Sequence, residues 1–596
     1  MDGYNGRMKK IFAAIAFILA MSALAAQNAA IKERVASMTA RQKIGALCVM
    51  NFRFWTDKPG PREFYNPALA AESPEIFDPV NTVNKTIYKT IRDYNIGSVI
   101  LFAENMGDGA AAKKFIRDLN AAALDGGNLP LLFLADQEGG NVLRVYDFAT
   151  PGAMAIAKSG DRQNAYLCGK ANGELLLDYG INVDLAPVCD VASNPHNPVI
   201  GIRSFSSDPE EAAECSLAFS QGLMDAGVLP CAKHFPGHGD TSLDSHKALP
   251  AIHANLSKWK KLEAIPFKEN IAGGVPLIMT AHIQCPRLDK TRIKSGDGKK
   301  EIVAPATLSK KILTKILRGS LGYKGAVISD AMDMAAIYAN WTSDQSFVLA
   351  VNAGCDLIIN PINVYSKKDL EFLEDFFCKV EQALENGALD KKALDAAVAR
   401  VLELKEKAGL MTIQDKKIVA LPQKIVPMPK EKKREAALLS NKIQTQAARA
   451  SASNLSLPLR ARSKKVLAFV PYDDKIETLQ KNFEARGFKD YDFVCYEGRK
   501  SPSRPDLQKA KEADLILIFT QLTGNGARDK KLWEASYPAA LAKELKKAQK
   551  AARTVAVSMN LPYDKKNFPQ EDGFGWMPLY NYTQIGYARA VQALFD

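Results

Sequence analysis

Short apolar runs alternate with helical patterns between about residues 40 and 361. The runs are Ile44 to Met50, Ser98 to Phe102, Leu129 to Ala135, Asn182 to Pro187, Val228 to Ala232, Pro276 to Ala281, Gly325 to Ile328 and Cys355 to Asn360. Amphipathic stretches such as Ala110 to Leu124 and Pro209 to Ala226 separate most of them. Alternation of this kind predicts β–α units on a parallel sheet. Eight such units predict a (β/α)8 TIM-type barrel, with an open doubly wound sheet as the alternative. Chemically capable residues follow several runs: Asp136-Gln137-Glu138 the third, Lys233-His234 the fifth, His282 the sixth and Asp330 the seventh. Barrel enzymes gather their catalytic groups at these strand ends, which favours the barrel.

Residues 362 to 409 read as helical, with Gly409 as a C-cap. From about 413 to 463 the chain is rich in Lys and Ala and contains Pro422, Pro427 and Pro429. It reads as a linker with one helix, Lys430 to Ala450. A second α/β unit follows, with strands at Lys465 to Val470, Phe493 to Tyr496, Asp514 to Phe519 and Thr554 to Met559. The expected organisation is a signal segment at 1–26, a barrel at 27–412, the linker at 413–463 and a smaller three-layer αβα sandwich at 464–596.

The start of the chain adds a destination. Arg7, Lys9 and Lys10 precede the apolar run Ile11 to Ala20, and Ser22-Ala23-Leu24-Ala25-Ala26 offers small residues for cleavage. This is the pattern of a secretory signal, and the apolar run is short for a membrane span. The expected location is exported, periplasmic or secreted, with no stable membrane insertion after cleavage. The nine cysteines are scattered singly with no CxxC pair, so neither a disulfide framework nor a zinc site is expected. The net charge of +13 is spread along the chain, and its Lys-rich stretches lack interleaved aromatics. No nucleic-acid partner is expected. The chain is expected to act as a monomer.

All six histidines fall between His196 and His282. The densest stretch is Lys233-His234-Phe235-Pro236-Gly237-His238-Gly239, followed by Asp240 and then Asp244-Ser245-His246. Its Pro and Gly residues predict a loop. There Asp244 can accept a hydrogen bond from the His246 imidazole, fixing its tautomer and favouring its protonated form. Two other readings compete: a metal site made of His234, His238 and His246 with Asp240 or Asp244, and a merely structural loop.

These segments together resemble glycoside hydrolase family 3, and within it the β-N-acetylglucosaminidases. The loop Lys233 to Gly239 with Asp244-Ser245-His246 carries the resemblance. So do Asp136-Gln137-Glu138-Gly139-Gly140 with Arg144, Asn197 to Phe205, and Gly322 to Asp330. The second α/β segment, ending in Asn581-Tyr582-Thr583-Gln584, is similar to the family's smaller domain. The resemblance implies Asp330 as nucleophile and His246 as acid/base held by Asp244. It implies Asp136, Arg144, Arg203, Lys233 and His234 as the residues that grip the sugar. His238 and His282 then support the loop. Asn141 departs from the pattern, standing where an Arg is common, and changed packing around the site is expected there. A lone Asp at a strand end also reads as a helix N-cap, since residues from Ala331 onward read helical. The arginines also read as internal ion-pair partners of Asp136 or Glu138.

The activity implied is retaining hydrolysis of terminal β-linked N-acetylhexosamine from peptidoglycan fragments or chitooligosaccharides. The partner is a carbohydrate substrate, and the chemistry needs no metal or organic cofactor. A β-N-acetylglucosaminide phosphorylase or a β-glucosidase of the same family are the enzymatic alternatives. A non-catalytic sugar-binding cell-wall protein is the alternative of another class.

Overall fold

The computed structural model describes residues 27–57, 76–242, 249–461, 463–522, 529–550, 553–568 and 574–596. The signal segment and the Asp244-Ser245-His246 triplet lie outside the described residues.

Eight strands form one parallel sheet: β1 Cys48–Asn51, β2 Ser98–Leu101, β3 Leu132–Ala135, β4 Val183–Asp184, β5 Leu229–Phe235, β6 Leu277–Thr280, β7 Ala326–Ile328 and β8 Ile358–Ile359. The order is β7-β6-β5-β4-β3-β2-β1-β8. Ile328 of β7 bridges Leu357 in parallel beside β8, which closes the ring. This is the predicted barrel and not the open sheet. Strands β1, β2, β3 and β6 are buried at every position, so they read as continuous apolar runs without alternation.

Element ends differ from the sequence reading in one instructive place. Residues 44–47 close helix α1 (Ala40–Leu47), and the strand starts only at Cys48. The Thr39–Gln42 capping box starts this helix, and the apolar run begins inside it. An apolar run that crosses from helix to strand has no periodicity to mark the boundary. The predicted helices appear as α2 (Gly109–Asp125) and α3 (Pro209–Ala226). Asp208 caps α3, and Gly227 ends it in the left-handed conformation at φ +92°.

The chain divides into two compact units. One holds the described residues up to Leu134, with Lys324–Asp333 and Trp341–Ile425. In it β1 pairs with β2 and β8. Helices α4 (Asp369–Glu385) and α5 (Lys391–Lys407) follow, and Gly409 adopts φ +69° just past α5, as a C-terminal glycine should. Buried Lys405 on α5 donates to the carbonyls of Gly97 and Pro130, just before β2 and β3. A hairpin of β9 (Met411–Gln414) and β10 (Lys417–Ala420) comes next, in a stretch read as linker.

The other unit holds Ala135–Tyr323, Met334–Asn340 and Val426–Asp596. It contains β4 to β6 and, beyond helix α6 (Lys430–Ser451), the strands β11 Val466–Val470, β12 Tyr491–Cys495, β13 Leu515–Thr520, β14 Thr554–Ser558 and β15 Gly575–Pro578. These five form a parallel sheet in the order β12-β11-β13-β14-β15. Alternate residues of β11 and β13 feed two apolar clusters, Val466, Ala468, Leu515 and Leu517 in one and Leu467, Phe469, Ile516 and Ile518 in the other. That double burial makes the predicted three layers. Strand β15 was not predicted; with Gly575 and Pro578 at its ends it tolerates only the edge position it occupies.

Helix α6 is more than a tether. Its Ala447 packs with Met154, Ala155, Ala192, Ile202, Leu561 and Tyr580, which belong to both the barrel side and the sandwich side of this unit. Gln444 donates to the carbonyl of Leu579 at 2.5 Å.

Candidate active site

Strand β3 delivers Asp136 at its C-terminal end, and the next four residues turn sharply. Gly139 and Gly140 have φ of +90° and +61°. A Cβ on Gly139 would lie 2.4 Å from the carbonyl oxygen of Pro151, so only glycine fits. Gln137 locks the turn to the following segment. Its Oε1 accepts from the backbone N–H groups of Arg144 and Val145 at 2.9 and 3.1 Å, and its Nε2 donates to the Val145 carbonyl. Asn172 donates to the Gln137 carbonyl at 2.5 Å. The aim of Asp136, Glu138 and Arg144 is therefore set by the backbone.

Five charged side chains meet there. Lys233, on β5, is 2% exposed and donates to Asp136 Oδ1 at 2.8 Å and Glu138 Oε1 at 2.7 Å. Arg144 Nη2 donates to Asp136 Oδ2 at 2.9 Å. Arg203 forks onto Glu138, Nη2 to Oε1 at 2.7 Å and Nε to Oε2 at 2.9 Å. Burial would raise the Asp136 carboxyl, but Lys233 and Arg144 outweigh it and hold it below the usual range. Burial also opposes ionisation of Glu138, and Arg203 and Lys233 override it, driving that carboxyl far down. The ammonium of Lys233 is raised in turn, against its own burial, by Asp136 and Glu138. The reading of the arginines as internal ion-pair partners holds, and it places them in the site. Asp136 and Arg144 remain partly accessible, with side chains 16% and 20% exposed. A carboxylate and a guanidinium fixed side by side can accept from and donate to adjacent sugar hydroxyls without reorganising.

His234 is brought to the same neighbourhood by β5, and a residue missed in the sequence anchors it. Buried Asp190 takes the His234 Nδ1 at 2.7 Å and the backbone N–H groups of His234 and His238 at 3.2 and 2.6 Å. The signal was available: Asp190 stands three residues past the fourth apolar run. Asp184, at the end of β4, was missed as well. It accepts from the Gln137 N–H at 3.0 Å, and burial pushes its carboxyl well up. His238 and His282 are buried and bond Thr241 and Thr307 through Nδ1 at 3.0 and 2.8 Å. Asn141, the departure from the family pattern, accepts from the Tyr582 N–H at 3.2 Å, so it ties the glycine turn to the sandwich side of the unit.

Asp330 lies in the other compact unit, two residues past β7. Its Oδ1 accepts from the Ala331 N–H at 2.8 Å. The N-cap reading fails, because the next helix starts only at Ala335 with Met334 as its cap. Ser329 and Met332 donate through their backbone N–H groups to the carbonyls of Leu357 and Ile359, so this segment is held against the β8 strand. Asp333 accepts from Asn360 and Asn363; burial raises its carboxyl, and the nearby charge of Asp330 adds to that.

Comparison with known proteins agrees along the chain. Residues 39–404 match the family described as "Glycosyl hydrolase family 3 N terminal domain". "Beta-hexosaminidase A" of Pseudoalteromonas piscicida is 31% identical over 583 residues, spanning 94% of this chain and 92% of the relative. "Beta-N-acetylglucosaminidase/beta-glucosidase" of Cellulomonas fimi is 28% identical over 320 residues, 54% of each chain. A solved glycoside hydrolase family 3 β-N-acetylglucosaminidase from Paenibacillus sp. str. FPU-7 superposes with a TM-score of 0.72 at 26% identity, covering 94% of this chain and 97% of that one.

Proposed function

Because the chain belongs to glycoside hydrolase family 3, in its β-hexosaminidase branch, and is thus a glycosidase of N-acetylhexosamine or glucoside sugars, we propose that it removes terminal β-linked N-acetylglucosamine with retention of configuration. The observation that carries this reading is the fixed cluster of Asp136, Glu138, Arg144, Arg203 and Lys233 at the ends of β3 and β5. A permanently ionised grip on the terminal sugar is what an exo-acting enzyme needs before any bond is broken.

In the proposed reaction the Asp330 carboxylate attacks the anomeric carbon and forms a glycosyl ester. As the glycosidic bond breaks, the leaving oxygen takes a proton from the His246 imidazolium. The neutral imidazole then takes a proton from water, the resulting hydroxyl oxygen attacks the anomeric carbon, and the ester returns to carboxylate. Asp244 orients the imidazole. An imidazole can serve both transfers at neutral pH. The Arg7 to Ala26 pattern supports an exported enzyme acting on peptidoglycan fragments or chitooligosaccharides.

Nuclear magnetic resonance of early products tests retention and the phosphorylase alternative together. The expected first product is β-N-acetylglucosamine, with the same product and no sugar 1-phosphate when phosphate is added. An α-anomer formed first would contradict the double displacement. Accumulation of a sugar 1-phosphate would make the enzyme a phosphorylase, which a neutral His acid/base permits because it repels an anion less than a carboxylate does.

A further inference from the structure

Glu263 lies outside the charged cluster at the ends of β3 and β5. It is 1% exposed and stands at the start of helix Ala264–Ala272, yet its side chain does not cap that helix. The carboxyl turns instead beneath the loop that follows β5. A Cβ on Gly237 would come within 2.4 Å of Glu263 Oε2 and 2.9 Å of its Cδ, so the carboxyl fills the hollow left by this glycine. Gly237 itself has φ +117°. Glu263 Oε1 accepts from the Ser193 hydroxyl at 3.4 Å, and the Val191 backbone N–H donates to the same carboxyl. Val191 in turn meets the loop directly, since a Cβ on Gly239 would lie 1.7 Å from its carbonyl oxygen. Trp259, four residues before Glu263, donates its indole N–H to the Pro236 carbonyl at 2.7 Å. Glu263 therefore sits where three segments meet: residues 190–193, the loop 236–242 and the turn after helix Leu256–Lys261.

Among the described residues no cation pairs with this carboxyl. Among the described residues Oε2 has no hydrogen-bond partner. Among the described residues the charged groups that act on it are acidic: Asp190 from the segment after β4 and Asp240 from the loop. Lys258 on the neighbouring helix is engaged by Asp240 at 3.0 Å. Cys285, after β6, is buried and is itself pushed up, by burial first and by Glu263 next. His238 bonds Thr241 and points its backbone N–H to Asp190.

We propose that Glu263 is a positioning residue that holds loop 236–242 as a neutral carboxylic acid, and that loss of its proton releases the loop. Burial, then Asp190, raise the group to about 8, against the opposing bonds from Val191 and Ser193. A carboxylate formed there would lie unpaired beside two other carboxylates. The catalytic consequence rests on the glycosidase reading above, in which the chain continuing from this loop supplies the acid/base.

The variant Glu263→Gln carries the neutral form at every pH. Three measurements on the full chain, wild type and variant, test the proposal. The folded-state pKa is raised above that of the unfolded chain. The proton on Glu263 therefore stabilises fully below the ordinary carboxylate range, and this contribution is lost as pH rises towards 8. The Tm of Glu263→Gln relative to wild type is expected to climb from pH 5 to 8 and then level off. Hydrogen exchange of the 236–242 peptide, corrected for intrinsic rate, should lose protection above pH 8 in wild type alone. On a nitrophenyl β-N-acetylglucosaminide, the kcat/KM ratio of variant to wild type should rise about tenfold per pH unit above 8. A Tm difference flat with pH, or loop protection that falls equally in both proteins, overturns the proposal. If loop protection and Tm behave as expected but neither protein hydrolyses the substrate, the positioning role stands and the glycosidase reading fails.

Discussion

Replacing Asp330 by Ala is expected to lower kcat on the order of 10⁴-fold or more, the scale of losing a covalent nucleophile that works as part of a catalytic unit. The fold should survive. The bond to the Ala331 N–H is among those lost, and one such bond contributes about 1 kcal/mol. The segment keeps its backbone bonds to Leu357 and Ile359. A small anion such as azide, added to the variant with an activated aryl glycoside, should occupy the vacated position. It should attack the anomeric carbon and release the α-glycosyl azide. A variant that is folded, retains a few per cent of wild-type turnover and gains nothing from azide would remove Asp330 from the nucleophile role.

Replacing Lys233 by Met is expected to cost about 3 kcal/mol of stability at pH 7, the scale of breaking a buried ion pair from one side. Methionine fills most of the lysine volume but leaves Asp136 Oδ1 and Glu138 Oε1 without their buried ammonium. Arg144 and Arg203 remain, which keeps the cost at the lower end of that range. The pH dependence follows from the direction of the shifts. Both carboxyls are held below their ordinary values in the fold, so the stabilisation is present above the usual carboxylate range and lost as pH falls through the depressed values. The gap between wild type and Lys233→Met should be widest at neutral pH and should narrow on acidification. Denaturant unfolding at pH 7 and pH 3 reads this directly. A gap below 1 kcal/mol at pH 7, or one that widens in acid, would mean that the lysine is not paired as observed.

The barrel was legible because its strands are buried on both faces and alternate with helices of a different period. The charged cluster was legible in part because Asp136 and Lys233 directly follow apolar runs. Other features were hidden for identifiable reasons. The β9–β10 hairpin turns through Asp415 and Lys416, both with positive φ (50° and 61°), and this pair lacks the glycine that usually marks such a turn. Asp190 follows its strand at a longer interval than the residues that were recognised. Glu263 sits among Lys260, Lys261 and Lys268, in a stretch that reads as a solvated helix face. Only the tertiary fold folds it under the glycines of another loop. Taken alone, Asp330 reads as a helix cap, because Ala331 to Ala336 is rich in helix formers, and only the resemblance of Gly322 to Asp330 favours the nucleophile; in the structure the helix is delayed to Ala335.

The N-acetyl group is what sets the proposed substrate apart from a plain glucoside. The most direct measurement compares kcat/KM for paired nitrophenyl substrates, the β-N-acetylglucosaminide against the β-glucoside, with the purified protein. The expected result is a preference for the N-acetyl sugar of at least about a hundredfold, since a site built to bond one polar group can reject an analogue lacking it by about 10⁴-fold or more. Equal rates, or a preference for the plain glucoside, would contradict the assignment and would send the search for the acid/base away from Asp244 and His246.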